Sequence, residues 1–100
     1  MRGFFEADLL QTLVAIVETG SFTAAAERIH RTQQAVSMQM RRLEELAGKP
    51  IFDRSGRQVR LTPVGDTVLV YARRILDLQR EAFSALDLSL IHISEPTRPY

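Results

Sequence analysis

Cysteine is absent from the 100 residues of this chain. That excludes a disulfide scaffold and any thiolate metal site. Long apolar runs are missing too, and none approaches the roughly 20 residues of a membrane-spanning helix. No membrane partner is expected. A secretory leader is not evident, because Glu6 and Asp8 bring negative charge where such a leader would be apolar. These absences together fit a cytoplasmic location. Histidine is scarce: His30 and His92 stand 62 positions apart. No glycine-rich phosphate loop or metal-spaced cluster accompanies them. An enzyme is therefore poorly supported, and no cofactor is implied. His30 reads as a helix-terminal or packing residue rather than a catalyst.

What is present is a small domain of ordinary globular composition. Its net charge of +1 hides an asymmetry. Residues 1–27 carry a net of −3, residues 28–60 a net of +5, and residues 61–87 a net of −1. A basic middle flanked by acidic ends is a localised field of the kind a phosphate backbone selects. An unevenly charged solvated surface would read the same way on charge alone.

Hydrophobic periodicity places the elements. Leu9, Leu10, Leu13, Val14 and Val17 recur at helical spacing, predicting a helix from about Glu6 to Thr19 that Gly20 ends. Thr23 is a candidate cap for a short alanine-rich helix, Ala24 to about Ile29. After a turn at Arg31, Thr32 can cap a third helix, about Gln33 to Ala47, which Gly48 ends. On that helix Val36, Met40, Leu43 and Ala47 share one face, and Gln34, Ser37, Met38 and Arg41 share the other. A solvated face usually alternates Glu and Lys. A start built of Gln33, Gln34 and Ser37 suits the edges of bases instead, because Gln bonds adenine bidentately and Ser bonds several bases.

Two β-prone runs follow, Ile51–Arg54 and Gln58–Leu61, around Ser55-Gly56-Arg57. They predict a hairpin bearing Arg54, Arg57 and Arg60. Two short helices, a third with a readable face and a basic hairpin make a winged helix-turn-helix in order. Thr62-Pro63 then starts a long helix, with Thr as cap, Pro at the first helical position and Asp66 in the first turn. Leu69, Ala72, Leu76, Gln79, Phe83 and Leu86 alternate by three and four along it, and Val68, Ile75 and Ala82 widen the stripe. A helix of about 25 residues spans nearly 40 Å. A module this small cannot cover so long a stripe, so these nine residues are expected to meet a second copy, with a smaller share packing on the first helix. The fold class is thus mainly α, a winged helix-turn-helix followed by a long dimerisation helix.

The segments Gly20–His30, Thr32–Glu44, Gly48–Arg54, Arg60–Gly65 and Ala72–Leu76 resemble the DNA-binding end of LysR-type transcriptional regulators. The resemblance covers roughly residues 7–87 in unbroken register. Within the family, Arg31-Thr32-Gln33 and Ala35-Val36-Ser37 followed by Gln39-Met40 are similar to the LrhA/HexA-type subgroup. The resemblance implies a transcription factor that binds double-stranded DNA at an interrupted palindrome as a homodimer or pair of dimers. It places Gln33, Gln34, Ser37 and Met38 at the major groove and Arg57 in the flanking minor groove. Thr23, Thr32, Arg41, Arg42 and Arg54 would hold phosphates. Gln34 stands where many members carry proline, and Met38 where many carry a basic or aromatic residue. The implied organisation is a DNA-binding domain over residues 1–62 and a linker helix over 63–87. Members normally continue into an effector-binding domain of two α/β lobes, which this chain does not encode. The rival use of a winged helix is protein–protein contact. An apolar patch on the outer face of the third helix would favour that use, and a continuous basic stripe would favour DNA.

Residues 88–100 stand apart. Leu88–Arg98 resembles one translated frame of a transposase adapter used in sequencing libraries. The charge-punctuated pattern stops at Asp87, and Pro96 and Pro99 break any regular element. Leu90 and Ile93 nevertheless continue the heptad, so a helix can run on to about Ser94. An independently amplified genomic clone is expected to diverge from this chain after codon 87. A clone that retains codons 88–98, followed by a stop, would show the segment to be native.

Overall fold

The structure, a computed structural model, describes residues 3–56 and 58–93. Arg57, singled out above, lies outside the described residues, as do residues 94–100 of the expected foreign tail. The elements run α1 (Ala7–Thr19), α2 (Phe22–Arg28), α3 (Gln33–Ala47), β1 (Phe52–Asp53), β2 (Arg60–Leu61) and α4 (Pro63–Ile93). This is the winged helix-turn-helix and long helix that periodicity predicts.

Helix α1 is the centre of the packing. Leu9, Leu10, Leu13 and Ile16 are buried, and α2, α3 and α4 all pack on it. Its one buried polar side chain, Thr12, donates to Gln39 Oε1 on α3 at 2.7 Å, with the Asp8 carbonyl 3.0 Å away. Among the described residues no buried side-chain polar atom lacks a hydrogen bond, so burial leaves no such group uncompensated there.

The start of α2 corrects one expectation. Ser21, not Thr23, is the cap: its extended backbone lets its side chain accept the Ala24 N–H at 3.0 Å. Thr23 is already inside the helix and exposed. The other end of α2 makes the turn of the helix-turn-helix. The Arg31 N–H donates to the Ala26 carbonyl at 2.9 Å and the His30 N–H to the Glu27 carbonyl at 3.3 Å. That pair of bonds requires a left-handed residue between them. His30 supplies it at φ 59°, where glycine is usual. His30 is thus the helix-terminal residue expected.

The wing is shorter than the sequence suggests. Among the described residues only Phe52↔Leu61 and Asp53↔Arg60 pair, antiparallel. Tertiary contacts hold it. The Phe52 ring lies 5.3 Å from that of Phe22, tying the wing to α2. At its base, the Thr62 N–H donates to the Ile51 carbonyl at 2.9 Å. The Thr62 hydroxyl donates to the Pro50 carbonyl at 2.7 Å and accepts the Gly65 N–H at 3.0 Å, as a cap should.

Helix α4 corrects the expected dimer seam. Val68, Ala72 and Leu76 are 8%, 0% and 5% exposed, packed in the core with α1. They have no surface left to offer a second copy. Leu69 and Ile75 are half-buried against the same core. Past Leu76 the helix outruns α1, and Gln79, Ala82, Phe83 and Leu86 are exposed. The backbone stays helical to Ile93, beyond the boundary at residue 87, as the continued heptad allows.

Gly65 sets how closely α4 approaches the wing. A Cβ there would stand 2.2 Å from the Ile51 carbonyl oxygen. That neighbour is backbone and cannot swing aside. Gly65→Ala is expected to lower stability by about 1–3 kcal/mol, the cost of overpacking. Urea denaturation should show a lower midpoint with an unchanged slope.

Candidate nucleic-acid interface

The outer face of α3 is assembled as the sequence suggests. The Thr32 side chain accepts the Ala35 N–H at 3.0 Å and caps the helix. Its hydroxyl proton stays available to a phosphate. Val36, Met40 and Leu43 anchor the inner face in the core. Gln33, Gln34, Ser37, Met38 and Arg41 then line one shallow concavity. Four of these are the residues singled out for base contact within this helix, and the fifth is a residue singled out for phosphate. Arg57 falls outside the described residues.

The cations divide into two groups. Arg41 and Arg60 enter no ion pair among the described residues. Arg42 stands 4.0 Å from Glu45, and Arg54 stands 3.0 Å from Glu44. Both arginines are well exposed, and surface pairs of this kind contribute only about 0–1 kcal/mol. They can exchange partners. The acidic N-terminal segment also reaches into the basic one. Glu18 holds Arg28 at 2.6 Å and Arg73 at 3.6 Å, and Asp8 stands 3.7 Å from Arg31. The +5 of residues 28–60 is therefore partly balanced in space by acids of α1. The outer face of α3 carries neither a continuous basic stripe nor an apolar patch. It is polar, with one apolar residue.

Glu44 is a site residue the sequence reading missed. It lies on α3, and its Oε2 accepts the N–H groups of Ile51 at 2.9 Å and Phe52 at 3.3 Å, while Oε1 takes Arg54. One carboxylate thus fixes the first strand of the wing against α3. Its spacing to Ile51 carries no periodic signal, so pattern reading has no purchase on it. On the wing itself, Asp53 Oδ1 accepts both the N–H and the hydroxyl of Ser55, and lies across from Arg60. These contacts, the Ser55 hydroxyl first, hold the Asp53 carboxyl below its ordinary range.

The family model described as "Bacterial regulatory helix-turn-helix protein, lysR family" matches residues 7–66. The chain belongs to this family. It is 47% identical over 81 residues to the HTH-type transcriptional regulator DgdR of Burkholderia cepacia, covering 81% of this chain and 28% of that protein. It is 49% identical over 81 residues to PecT of Dickeya dadantii, covering 81% of this chain and 26% of PecT. This LysR-type chain thus spans little more than a quarter of those relatives. Solved structures agree. The CbnR_DBD–DNA complex superposes at a TM-score of 0.79 with 34% identity, covering 86% of this chain and 99% of that one. The BenM_DBD complex with benA site 1 DNA gives 0.82 with 32% identity, covering 86% and 97%. The relatives are named as regulators, not as enzymes.

Glu44 generates a pH prediction. Partial burial pushes its carboxyl up, but the Ile51 and Phe52 N–H bonds and the Arg54 bond and charge outweigh that, and the net direction is below the ordinary 4.5. A carboxyl lowered on folding stabilises the fold above its unfolded value, and that stability is lost as pH falls through the folded value. Wild type should therefore lose stability below about pH 4.5 more steeply than Glu44→Gln. At neutral pH the variant should be about 1–2 kcal/mol less stable, from weakened charge-assisted bonds. Denaturation midpoints against pH check both. Parallel curves would show that Glu44 is not a stabilising titrating group.

Proposed function

We propose that this chain is the DNA-binding part of a transcription regulator and recognises a duplex operator through the α3 face and the wing. The observation that carries this reading is the concavity on α3. Its side chains are amide, hydroxyl, thioether and guanidinium groups, free of the core and gathered at the helix start. Gln33, Gln34, Ser37 and Met38 face base edges in the major groove. Thr23, Thr32, Arg41, Arg42 and Arg54 hold phosphates, and Arg57 enters the flanking minor groove, where a narrow A·T-rich tract is most negative. Two relatives of the same fold, about one-third identical, are solved as complexes with DNA, which supports the same use here. The α3 face carries neither an apolar patch for a protein partner nor a continuous basic stripe, and its amide and hydroxyl groups beside Arg41 are what favour DNA. A chain acting on bacterial chromosomal DNA works in the cytoplasm.

Binding is expected to be selective and strongly salt-dependent. Each neutralised phosphate should add about −0.9 to the slope of log affinity against log salt. Gln34→Ala should relax preference at one base position by about 1–3 kcal/mol, whereas Arg41→Ala should weaken binding to all sequences and flatten the slope. Selection from a random duplex pool, followed by titration at several salt concentrations, measures all three. Salt-independent affinity, or one motif returned by wild type and Gln34→Ala alike, would count against this assignment.

The operator is read as an interrupted palindrome by a homodimer joined through α4. With Val68, Ala72 and Leu76 committed to the core, the available surface is the adjoining stripe. Tyr71, Ile75, Leu78, Ala82 and Ala85 alternate by four and three, roughly a quarter-turn round the helix from Ala72. Tyr71 is 54% and Leu78 62% exposed. Leu69 flanks the core-facing side, Gln79 continues its line past α1, and Phe83 and Leu86 add apolar surface there. Leu78→Asp should shift the chain to monomer in sedimentation while leaving the fold intact. Leu76→Asp should unfold it, because a charge there is buried without a partner. A native chain that sediments as a monomer at high concentration would leave the stripe without this role.

A further inference from the structure

Met38 is 67% exposed on the outer face of α3. Between Phe5 and Leu69 it is the only large hydrophobic side chain so exposed among the described residues. It shares its concavity with Gln33, Gln34, Ser37 and Arg41, each of which can donate hydrogen bonds. Met38 cannot. It has no donor, and its thioether is only a weak acceptor.

Position and chemistry together restrict what can lie opposite it. Met38 is one turn beyond Gln34, so their Cβ atoms are about 5–6 Å apart. Stacked base pairs repeat at about 3.4 Å, and the two residues meet pairs one or two steps apart. Against Met38, the O6 and N7 of guanine or the amine of cytosine would lose water and gain no comparable bond, which is costly. One natural base edge in the major groove presents an apolar group, the C5-methyl of thymine.

We propose that Met38 is a specificity-determining residue that reads a pyrimidine 5-methyl group. Each half-site carries a thymine opposite it, and 5-methylcytosine serves at that position better than cytosine. This inference rests on the DNA-binding reading above and adds the chemical group recognised.

The test uses the operator recovered by selection, with each thymine replaced singly by deoxyuridine, which removes only the methyl. Wild type should lose about four-fold in affinity at one thymine per half-site, the equivalent of one buried methylene-sized group. Met38→Ala, whose substitution is on an exposed side chain and whose fold is checked by circular dichroism, should bind the unmodified operator more weakly and ignore that replacement. Cytosine at the same position should weaken wild-type binding, and 5-methylcytosine should recover part of the loss. A wild type that binds its operator selectively but is indifferent to every deoxyuridine overturns the inference and leaves the DNA-binding reading standing. Met38→Ala with undiminished deoxyuridine sensitivity assigns the methyl to another side chain and overturns it too. Absence of selective binding to the unmodified operator overturns both.

Discussion

The backbone of Ile51 is the junction on which the geometry of the interface depends. Its N–H is taken by the Glu44 carboxylate of α3, and its carbonyl accepts the Thr62 N–H at the head of α4. Its side chain is fully buried, and Gly65 packs directly on its carbonyl. Helix α3, the wing and the long helix therefore meet at the backbone of one residue. A two-pair ladder is too short to hold a wing by itself. The Glu44 bonds and the Phe22–Phe52 contact orient it instead. Charge-assisted bonds to a partly buried carboxylate suit this task, because they are stronger than neutral ones.

The same economy appears on α3. Three large apolar residues on the inner face fix the helix, which leaves the outer face free of any packing duty. Gln33, Gln34, Ser37 and Met38 can therefore change without disturbing the core. The charge around them is more balanced than a segment-by-segment count suggests. Acids of α1 pair with Arg28 and Arg31, and Glu18 reaches Arg73 on α4 as well. Among the described residues, the cations left unpaired on α3 and the wing, Arg41 and Arg60, belong to the two elements that would meet a phosphate backbone.

Helix α4 divides its surface between two tasks. Its first four turns bury Val68, Ala72 and Leu76 against α1, which makes the helix part of the domain rather than an arm attached to it. A stripe about a quarter-turn away, through Tyr71 and Leu78, stays exposed. A heptad pattern cannot distinguish these faces, because both alternate by three and four. A stripe read from periodicity says that a face is apolar, not which neighbour covers it.

By itself the sequence determined the order of α1, α3 and the start of α4 and their bounds to within a residue, since α1 and α3 each carry a periodicity and a terminating glycine, and α3 and α4 each begin at a capping threonine. It also determined which α3 side chains share the outer face, because helical geometry follows from spacing alone. The tertiary structure decided the rest. Whether Ser21 or Thr23 caps α2 depends on which backbone is extended, and both side chains are capable of it. That Glu44 anchors the wing, that Glu18 and Asp8 balance Arg28 and Arg31, and that Leu76 belongs to the core rather than to a partner are facts about residues brought together from distant positions. Local spacing holds no record of those distances, which are set only when the apolar faces of the helices close on α1.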